Sequence, residues 1–200
     1  MTIAEKLVII TEKIKAVYNS GRKNEYNRFW DTYQSNGGVC HGLYMFGGYN
    51  WNDDIYNPKY PIKVDAFSSM YQATSLTDTK VPIDVTYGTG TNLFFNANKL
   101  KNIVKLKVNA ANTYNNWFCN CNELENVRFE GTIANSLDIH WSTKLSAESC
   151  ESIFKCLSAN STGQILTLPA GVQETYNAKY GNGTYAERVM GFPNWEIKLA

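Results

Sequence analysis

Cysteine and histidine are the residue types in this chain best suited to nucleophilic or metal chemistry. The 5 cysteines and 2 histidines include Cys40-His41, Cys119-x-Cys121 and His140. Structural zinc sites commonly use paired ligands with roughly two to four residues between them, and a second such pair. Cys119 and Cys121 do not match that spacing, and no local motif points to a Cys–His nucleophile. We therefore expect reduced, buried thiols, with no catalytic residue, metal site or cofactor.

Acidic and glycine-containing segments give no clearer indication of a site. Asp53-Asp54 lacks the glycine and the distal glutamate of an EF-hand loop, so a solvated turn is the interpretation we favour. Gly88-Thr89-Gly90 follows a predicted strand but does not lead into the helix that a phosphate-binding loop requires. Two surface carboxylates could still converge as the acid pair of a glycoside hydrolase. A glycan-active enzyme therefore stays open as an alternative.

Aromatic and basic side chains are better placed for binding. One aromatic group consists of Tyr44, Phe46, Tyr49, Trp51, Tyr56 and Tyr60. It predicts either a cap over the open end of a core or a surface on which rings contact a sugar or a protein. The outward positions of the predicted strands form a mixed-charge row: Pro82, Asp84, Lys105, Lys107, Arg128 and Glu130. The candidate binding residues are Tyr44, Tyr49, Trp51, Tyr56, Lys105, Lys107 and Arg128.

The net charge and the length of the apolar runs argue against nucleic acid and membranes as partners. With 19 basic and 18 acidic residues, the net charge of +1 gives no field that would attract nucleic acid or an anionic membrane. Residues 1–15 include Glu5 and Glu12, and the longest apolar run there, 7–10, is too short for a signal peptide or a membrane span. We expect a protein made in the cytoplasm without a signal peptide, with virion association as a further option.

Residues 1–35 predict a helix with one narrow apolar face. Thr2 and Glu5 have the spacing of a capping box at its start. Apolar residues then recur at alternating steps of four and three residues, at Ile3, Leu7, Ile10, Ile14 and Val17. This is the pattern of a short parallel coiled coil, and isoleucine at both core positions favours a trimer. We expect self-association through this stripe; the alternative is that the helix folds back as a cap.

Three windows, 69–76, 93–100 and 117–124, recur at a spacing of 24 residues. Each has a bulky pair, then a small residue and then a leucine; these are Ala73, Ala97 and Cys121, followed by Leu76, Leu100 and Leu124. Short strands are predicted after them at 81–85, 103–108 and 127–129. The first copy departs from the pattern, with Thr79 where the others have Ile103 and Val127. A period of roughly 20–29 residues with one apolar turn and one strand is typical of leucine-rich repeats, whose stacked coils bury what one coil cannot.

The remaining segments complete the predicted domain organisation. Residues 36–66 predict an aromatic N-terminal cap or connector, 67–143 the irregular repeats, and 144–200 a C-terminal α/β cap. The cap is predicted to contain an amphipathic helix over 144–157 with Ser146 as N-cap, a strand over 164–169, a helix near 172–180 and a strand over 195–199. The predicted fold class is α+β: a short irregular leucine-rich-repeat solenoid with an N-terminal coiled-coil-like helix and this cap.

The repeats resemble a known family. The phrases at 97–103 and 121–127 are similar to the repeat unit of BspA-like leucine-rich-repeat proteins, which are widespread in gut and oral bacteria. The whole chain resembles the short members encoded by Firmicutes phages and prophages, in the opening helix, the Tyr26–Asp31 phrase, Trp51 with the 58–60 phrase, and Trp195. The resemblance implies a non-enzymatic recognition or structural protein, linked to a phage tail or a surface, with a protein or glycan ligand. A cytosolic effector that blocks a host protein is an alternative.

Overall fold

The chain is a mixed α/β protein with parallel sheets, which agrees with the expected α+β class. The computed structural model describes residues 13, 21, 38–48, 51, 53 and 55–200. The strands in this part are β1 (Cys40–His41), β2 (Ile62–Ala66), β3 (Ile83–Asp84), β4 (Asn102–Val108), β5 (Asn126–Gly131), β6 (Leu137–Asp138), β7 (Gln164–Leu168) and β8 (Trp195–Leu199). The helices are α1 (Ala147–Cys156), α2 (Val172–Tyr180) and α3 (Thr184–Met190).

The predicted oligomerisation stripe, Ile3, Leu7, Ile10, Ile14 and Val17, lies outside the described residues. Trimer formation therefore stays a prediction. Among the described helices, none is long and apolar enough to cross a membrane.

The first sheet contains β1 to β5 in sequence order, and every neighbouring pair is parallel. Ile103 on β4 pairs with Val127 on β5, so the 24-residue spacing in the sequence becomes one step across the sheet. The sheet extends towards the N-terminus into the stretch expected to be a connector, because β1 and β2 both belong to it. These strands were not predicted from the sequence, because β1 lies between Gly38 and Gly42 and β2 directly follows Pro61, and these residue types indicate turns.

The turns that precede these strands are stacked as well. Amide hydrogen bonds join each turn to the next, from Phe46 to the carbonyl of Met70 (2.7 Å), from Tyr71 to Leu93 (2.8 Å) and from Phe94 to Trp117 (2.9 Å). The buried rings of Phe46, Tyr71, Phe94 and Phe118 form a column with neighbouring centroids 5.0, 5.3 and 5.6 Å apart. Stacking of the turns therefore buries aromatic rings that a single turn would expose to water.

Two residues with left-handed backbone conformation accompany each of the three predicted windows, either inside the window or immediately before it. They are Ser69 and Ala73, then Asn92 and Asn96, then Asn116 and Asn120, with φ between 52° and 58°. Asparagine tolerates this conformation better than most residues with a β-carbon. The recurring asparagines in the later windows thus allow the tight turn that the aromatic column requires.

The predicted leucine ladder is buried: Leu76, Leu100 and Leu124 are all 0% exposed and belong to one core. The register predicted for the small residue of the first window was wrong. Ala97 and Cys121 donate their amides to the aromatic residue three positions earlier, and in the first window Thr74, not Ala73, makes this bond. In the first window one residue separates Thr74 from Leu76, whereas two residues separate Ala97 from Leu100 in the second. The leucines are therefore 24 residues apart, while the aromatic residues Tyr71 and Phe94 are only 23 apart.

Thr79, the departure from the repeat, is fully buried with its polar groups bonded. Its hydroxyl accepts from the amide of Val104 (3.1 Å) and donates to the carbonyl of Val81 (3.3 Å). Its carbonyl accepts the hydroxyl of Tyr56 (2.8 Å). A threonine therefore fits among apolar neighbours here, because each buried polar group has a partner.

Helix α1 covers the edge of the first sheet at β5. The hydroxyl of Ser149 accepts from the amide of Val127 (2.9 Å), and that of Ser152 accepts from the amide of Phe129 (3.1 Å). The predicted N-cap is confirmed, since the side chain of Ser146 accepts from the amide of Ser149. An unpaired sheet edge attracts other strands. Here two serines on one face of α1 provide hydrogen-bond acceptors for two amides of that edge.

The second sheet contains β6, β7 and β8, again parallel and in sequence order. The strand predicted over 164–169, the helix near 172–180 and the strand over 195–199 are confirmed as β7, α2 and β8. The sequence analysis missed β6 and α3. Glu151 of α1 joins the helices, because it accepts bidentate bonds from Arg188 of α3 (3.1 and 3.3 Å) and one from the hydroxyl of Tyr176 of α2 (2.6 Å).

Candidate functional site

An open groove of about 650 Å³ lies between the first sheet and the helices. One wall is the start of β4 and β5, residues 102–104 and 126–129, and the opposite wall is α1 between Glu148 and Lys155. Asp78 and Tyr180 complete the lining. Its volume is within the range of roughly 300–1,000 Å³ found for ligand sites. We refer to it below as the sheet–helix groove.

The strand side of this groove carries a row of planar polar side chains, Asp78, Asn102 and Asn126, which we call the asparagine ladder. Asp78 and Asn102 are bridge partners, and Asn102 and Asn126 are strand partners, so the three residues occupy equivalent positions on successive passes of the chain. The side-chain amide of Asn126 donates to the side-chain oxygen of Asn102 (2.8 Å). Each asparagine amide can make further bonds in the same plane, and neighbouring strands are about 4.8 Å apart. The ladder therefore offers donors and acceptors at a regular spacing.

The carboxylates of the helix wall are already paired. Glu148 receives a bond from Lys179 at 2.8 Å, which holds the pKa of the Glu148 carboxyl below its ordinary value. Glu151 is held by Arg188 and Tyr176, and its side chain is only 18% exposed. The carboxylates of this wall are therefore largely neutralised by neighbouring cations, and the wall does not select a ligand by charge alone.

The groove also has two exposed apolar groups. Tyr180 is the last residue of α2, is 42% exposed, and packs against Tyr176 with centroids 4.7 Å apart. Val104 on β4 is 43% exposed. The supported ring of Tyr180 can contact a ligand with little loss of side-chain entropy, because Tyr176 already restricts it.

The predicted charged row is present on β4 and β5, and most of its charges pair across strands. Lys105 contacts Glu130 at 2.6 Å and lowers the pKa of that carboxyl through a hydrogen bond. Lys107 contacts Asp84 at 3.4 Å. Asp84 faces the same side of the sheet as its strand partner Lys107, but it is only 8% exposed, and its carboxylate also accepts from the hydroxyl (2.6 Å) and the amide (3.0 Å) of Thr86. Arg128 differs from both lysines, because it lines the sheet–helix groove.

The structure divides the aromatic candidates. Tyr56 is wrong as a binding residue, because it is fully buried and its hydroxyl bonds to Tyr71 and Thr79, both at 2.8 Å. Trp51 is partly buried and packs edge-on against Phe46, with centroids 5.4 Å apart. Tyr44 is 63% exposed, and Tyr49 lies outside the described residues. Among the described members of this group, Phe46, Trp51 and Tyr56 therefore pack on the first turns, and Tyr44 and Tyr60 (40% exposed) lie at the surface.

The thiols lie in environments that oppose ionisation. Burial raises the pKa of Cys40, Cys121 and Cys150 to about 12 in each case. A nucleophilic cysteine requires the opposite shift. Burial and the nearby Asp138 carboxylate also raise the pKa of Cys119.

The metal-ligand types do not form a cluster in the described part of the chain, where no group of three or more could hold an ion. His140 bonds instead to Asp138 (2.6 Å), and the Asp53 carboxylate accepts the hydroxyl of Thr77 (2.6 Å). Asp53 therefore anchors one turn to the next rather than standing free in a solvated turn.

Of the predicted binding residues, the structure places Arg128 in the sheet–helix groove and Lys105 and Lys107 on the same strands beyond it. The sequence analysis missed Asn102, Asn126 and Tyr180. The two asparagines recur at the repeat spacing and could have been found from it. Tyr180 reaches the groove only through the packing of α2 on α1, which no local pattern reveals. Comparison with known proteins gave no match to a family model, a curated protein or a solved structure.

Proposed function

We propose that this chain is a non-enzymatic recognition protein of phage or prophage origin, linked to a tail or another surface. In this proposal the first sheet and its stacked turns are a short, irregular leucine-rich-repeat solenoid. The N-terminal helix joins three copies, and the C-terminal helices and second sheet close the end of the solenoid. The 24-residue sequence spacing, reproduced as one step between β4 and β5, supports the repeat interpretation.

The observation that carries the binding role is the sheet–helix groove. Binding sites are concave and combine apolar surface with a few convergent polar groups. This groove has both, in the exposed Tyr180 and Val104 and in the asparagine ladder with Arg128. The buried thiols, the paired carboxylates and the carboxylate-bound His140 supply no activated group. A binding role therefore fits the described residues better than catalysis does.

Binding of the labelled full-length chain to intact Firmicutes cells tests this proposal. The variant Asn126→Ala with Arg128→Ala removes two groove side chains, and Asn98→Ala with Lys99→Ala removes the same kinds of group from an exposed site outside the groove. We expect saturable binding to a subset of strains, lost in the groove variant and kept in the control. Absence of binding to any strain, or equal binding by both variants, would overturn the proposal.

A further inference from the structure

We propose that the sheet–helix groove binds an extended saccharide chain, with the asparagine ladder along its length and the Tyr180 ring against one sugar face. This inference rests on the proposed recognition function and names its class of ligand. It depends on the spacing of the ladder, on the exposed ring in the groove's lining, and on the pairing of the groove's carboxylates.

The spacing of the ladder fits a polymer of sugars. Asp78, Asn102 and Asn126 stand on three neighbouring passes of the chain, so the ladder extends over about 10 Å at about 4.8 Å per step. That step is close to the length of one sugar residue in an extended polysaccharide. Asn126 donates to Asn102, and one oxygen of Asp78 accepts from the amide of Lys80. The second oxygen of Asp78, the side-chain amide of Asn102 and the side-chain oxygen of Asn126 still have capacity for sugar hydroxyls. A periodic ligand would therefore present equivalent hydroxyls to equivalent side chains.

Tyr180 supplies the second part of a saccharide site. It is 42% exposed, lines the groove and packs against Tyr176. The C–H-rich face of a pyranose packs on such a ring, while the hydroxyls at its edge stay available for the ladder. Arg128, on β5 within the groove, adds donors for a hydroxyl or for a sugar carboxylate.

A protein ligand fits the same surface less well. Protein interfaces depend on a desolvated apolar centre with aromatic anchors in pockets. Apart from Val104, the exposed side chains of the strand wall are polar, because Ile103, Val127 and Phe129 are buried. The acids of the helix wall are paired with Lys179 and Arg188. The groove thus has only a small exposed apolar surface, at Val104 and Tyr180, and no strong field for a charged partner. It retains regularly spaced hydrogen-bonding groups beside one ring.

A glycan array probed with the full-length chain tests the inference. Tyr180→Ala removes the ring, Tyr180→Phe keeps it, and Tyr87→Ala removes an exposed ring outside the groove. We expect wild type, Tyr180→Phe and Tyr87→Ala to bind the same oligosaccharides. Tyr180→Ala should bind them roughly tenfold or more weakly, as expected for loss of about 1.4 kcal/mol. Unchanged thermal unfolding of the Tyr180→Ala variant would exclude misfolding as the cause.

The glycan array and the cell-binding assay together distinguish failure of the saccharide inference from failure of the proposed recognition function. Cell binding that needs Asn126 and Arg128, without binding to any glycan, would overturn the saccharide inference and leave the recognition function standing with a protein ligand. Absence of both kinds of binding would overturn both proposals. Glycan binding that Tyr180→Ala leaves unchanged would also overturn the assignment to this groove.

Discussion

Replacing the two serines that cover the edge of β5 should destabilise the protein more than their size suggests. Ser149 and Ser152 accept hydrogen bonds from the amides of Val127 and Phe129, at 2.9 and 3.1 Å. Alanine at either position leaves a backbone amide without this acceptor, at a cost of about 1–3 kcal/mol for a buried donor. Alanine also improves helix propensity by up to about 0.5 kcal/mol, which offsets part of the loss.

The bond to Val127 is buried and the bond to Phe129 is partly buried, so the two losses should differ. We expect Ser149→Ala to lower the free energy of unfolding by about 1–2.5 kcal/mol and Ser152→Ala by about 0.5–1.5 kcal/mol. Urea unfolding measures the totals, and amide hydrogen exchange measures the local effect, which should be faster exchange at Val127 and Phe129. Lys155→Ala, on the exposed side of the same helix, is the control, with a change within about 0.5 kcal/mol.

The assignment of α1 as an edge cover would be refuted by one particular result. Stability within about 0.5 kcal/mol of wild type for both serine variants, with unchanged exchange in β5, would mean that water or the strand itself satisfies these amides.

Further predictions concern the core, a turn, a thiol and the oligomer. Leu124→Ala should lower the free energy of unfolding by about 2–5 kcal/mol because it leaves a cavity, and Lys105→Ala at the surface should lower it by less than about 0.5 kcal/mol. Equal losses of stability in urea unfolding would contradict the buried leucine ladder. Ala73→Asn should raise stability by about 0.5–1 kcal/mol, because asparagine tolerates the left-handed φ of 52° better; a clear loss of stability would contradict this reasoning. Burial raises the pKa of Cys121 to about 12, so iodoacetamide at neutral pH should label it only in urea, and rapid native labelling would contradict its burial. Light scattering should show a trimer for the intact chain and a monomer for Leu7→Asp; a monomeric intact chain would favour the helix as a cap.

The sequence predicted the elements whose pattern is local and periodic. Leu100 and Leu124 recur at the spacing that the sheet uses, and the helix beginning after Ser146 has a cap and one buried face. Periodicity is informative at such positions because a buried ladder requires the same residue type at every pass.

Features that depend on contacts between distant elements could not be predicted in this way. The register of Thr74 is set by stacking of Tyr71 on Phe94, and one missing residue in the first window conceals it. β1 has two residues and lies between Gly38 and Gly42, and β2 directly follows Pro61, so both strands adjoin residues that indicate turns. Tyr180 lies in the candidate site only because α2 packs on α1. Tyr56 does not contribute to that site, because its ring is buried in the core.

The central claim is that the sheet–helix groove recognises a ligand on a cell surface. A competition isotherm tests it most directly, with labelled full-length chain bound to a Firmicutes strain and displaced by unlabelled protein. Unlabelled wild type and the Asn98→Ala, Lys99→Ala variant should displace the label equally well. The Asn126→Ala, Arg128→Ala variant should need roughly a hundredfold higher concentration if each lost side chain contributes about 1.4 kcal/mol. Equal displacement by all three proteins would contradict the account, because binding would then not involve the groove.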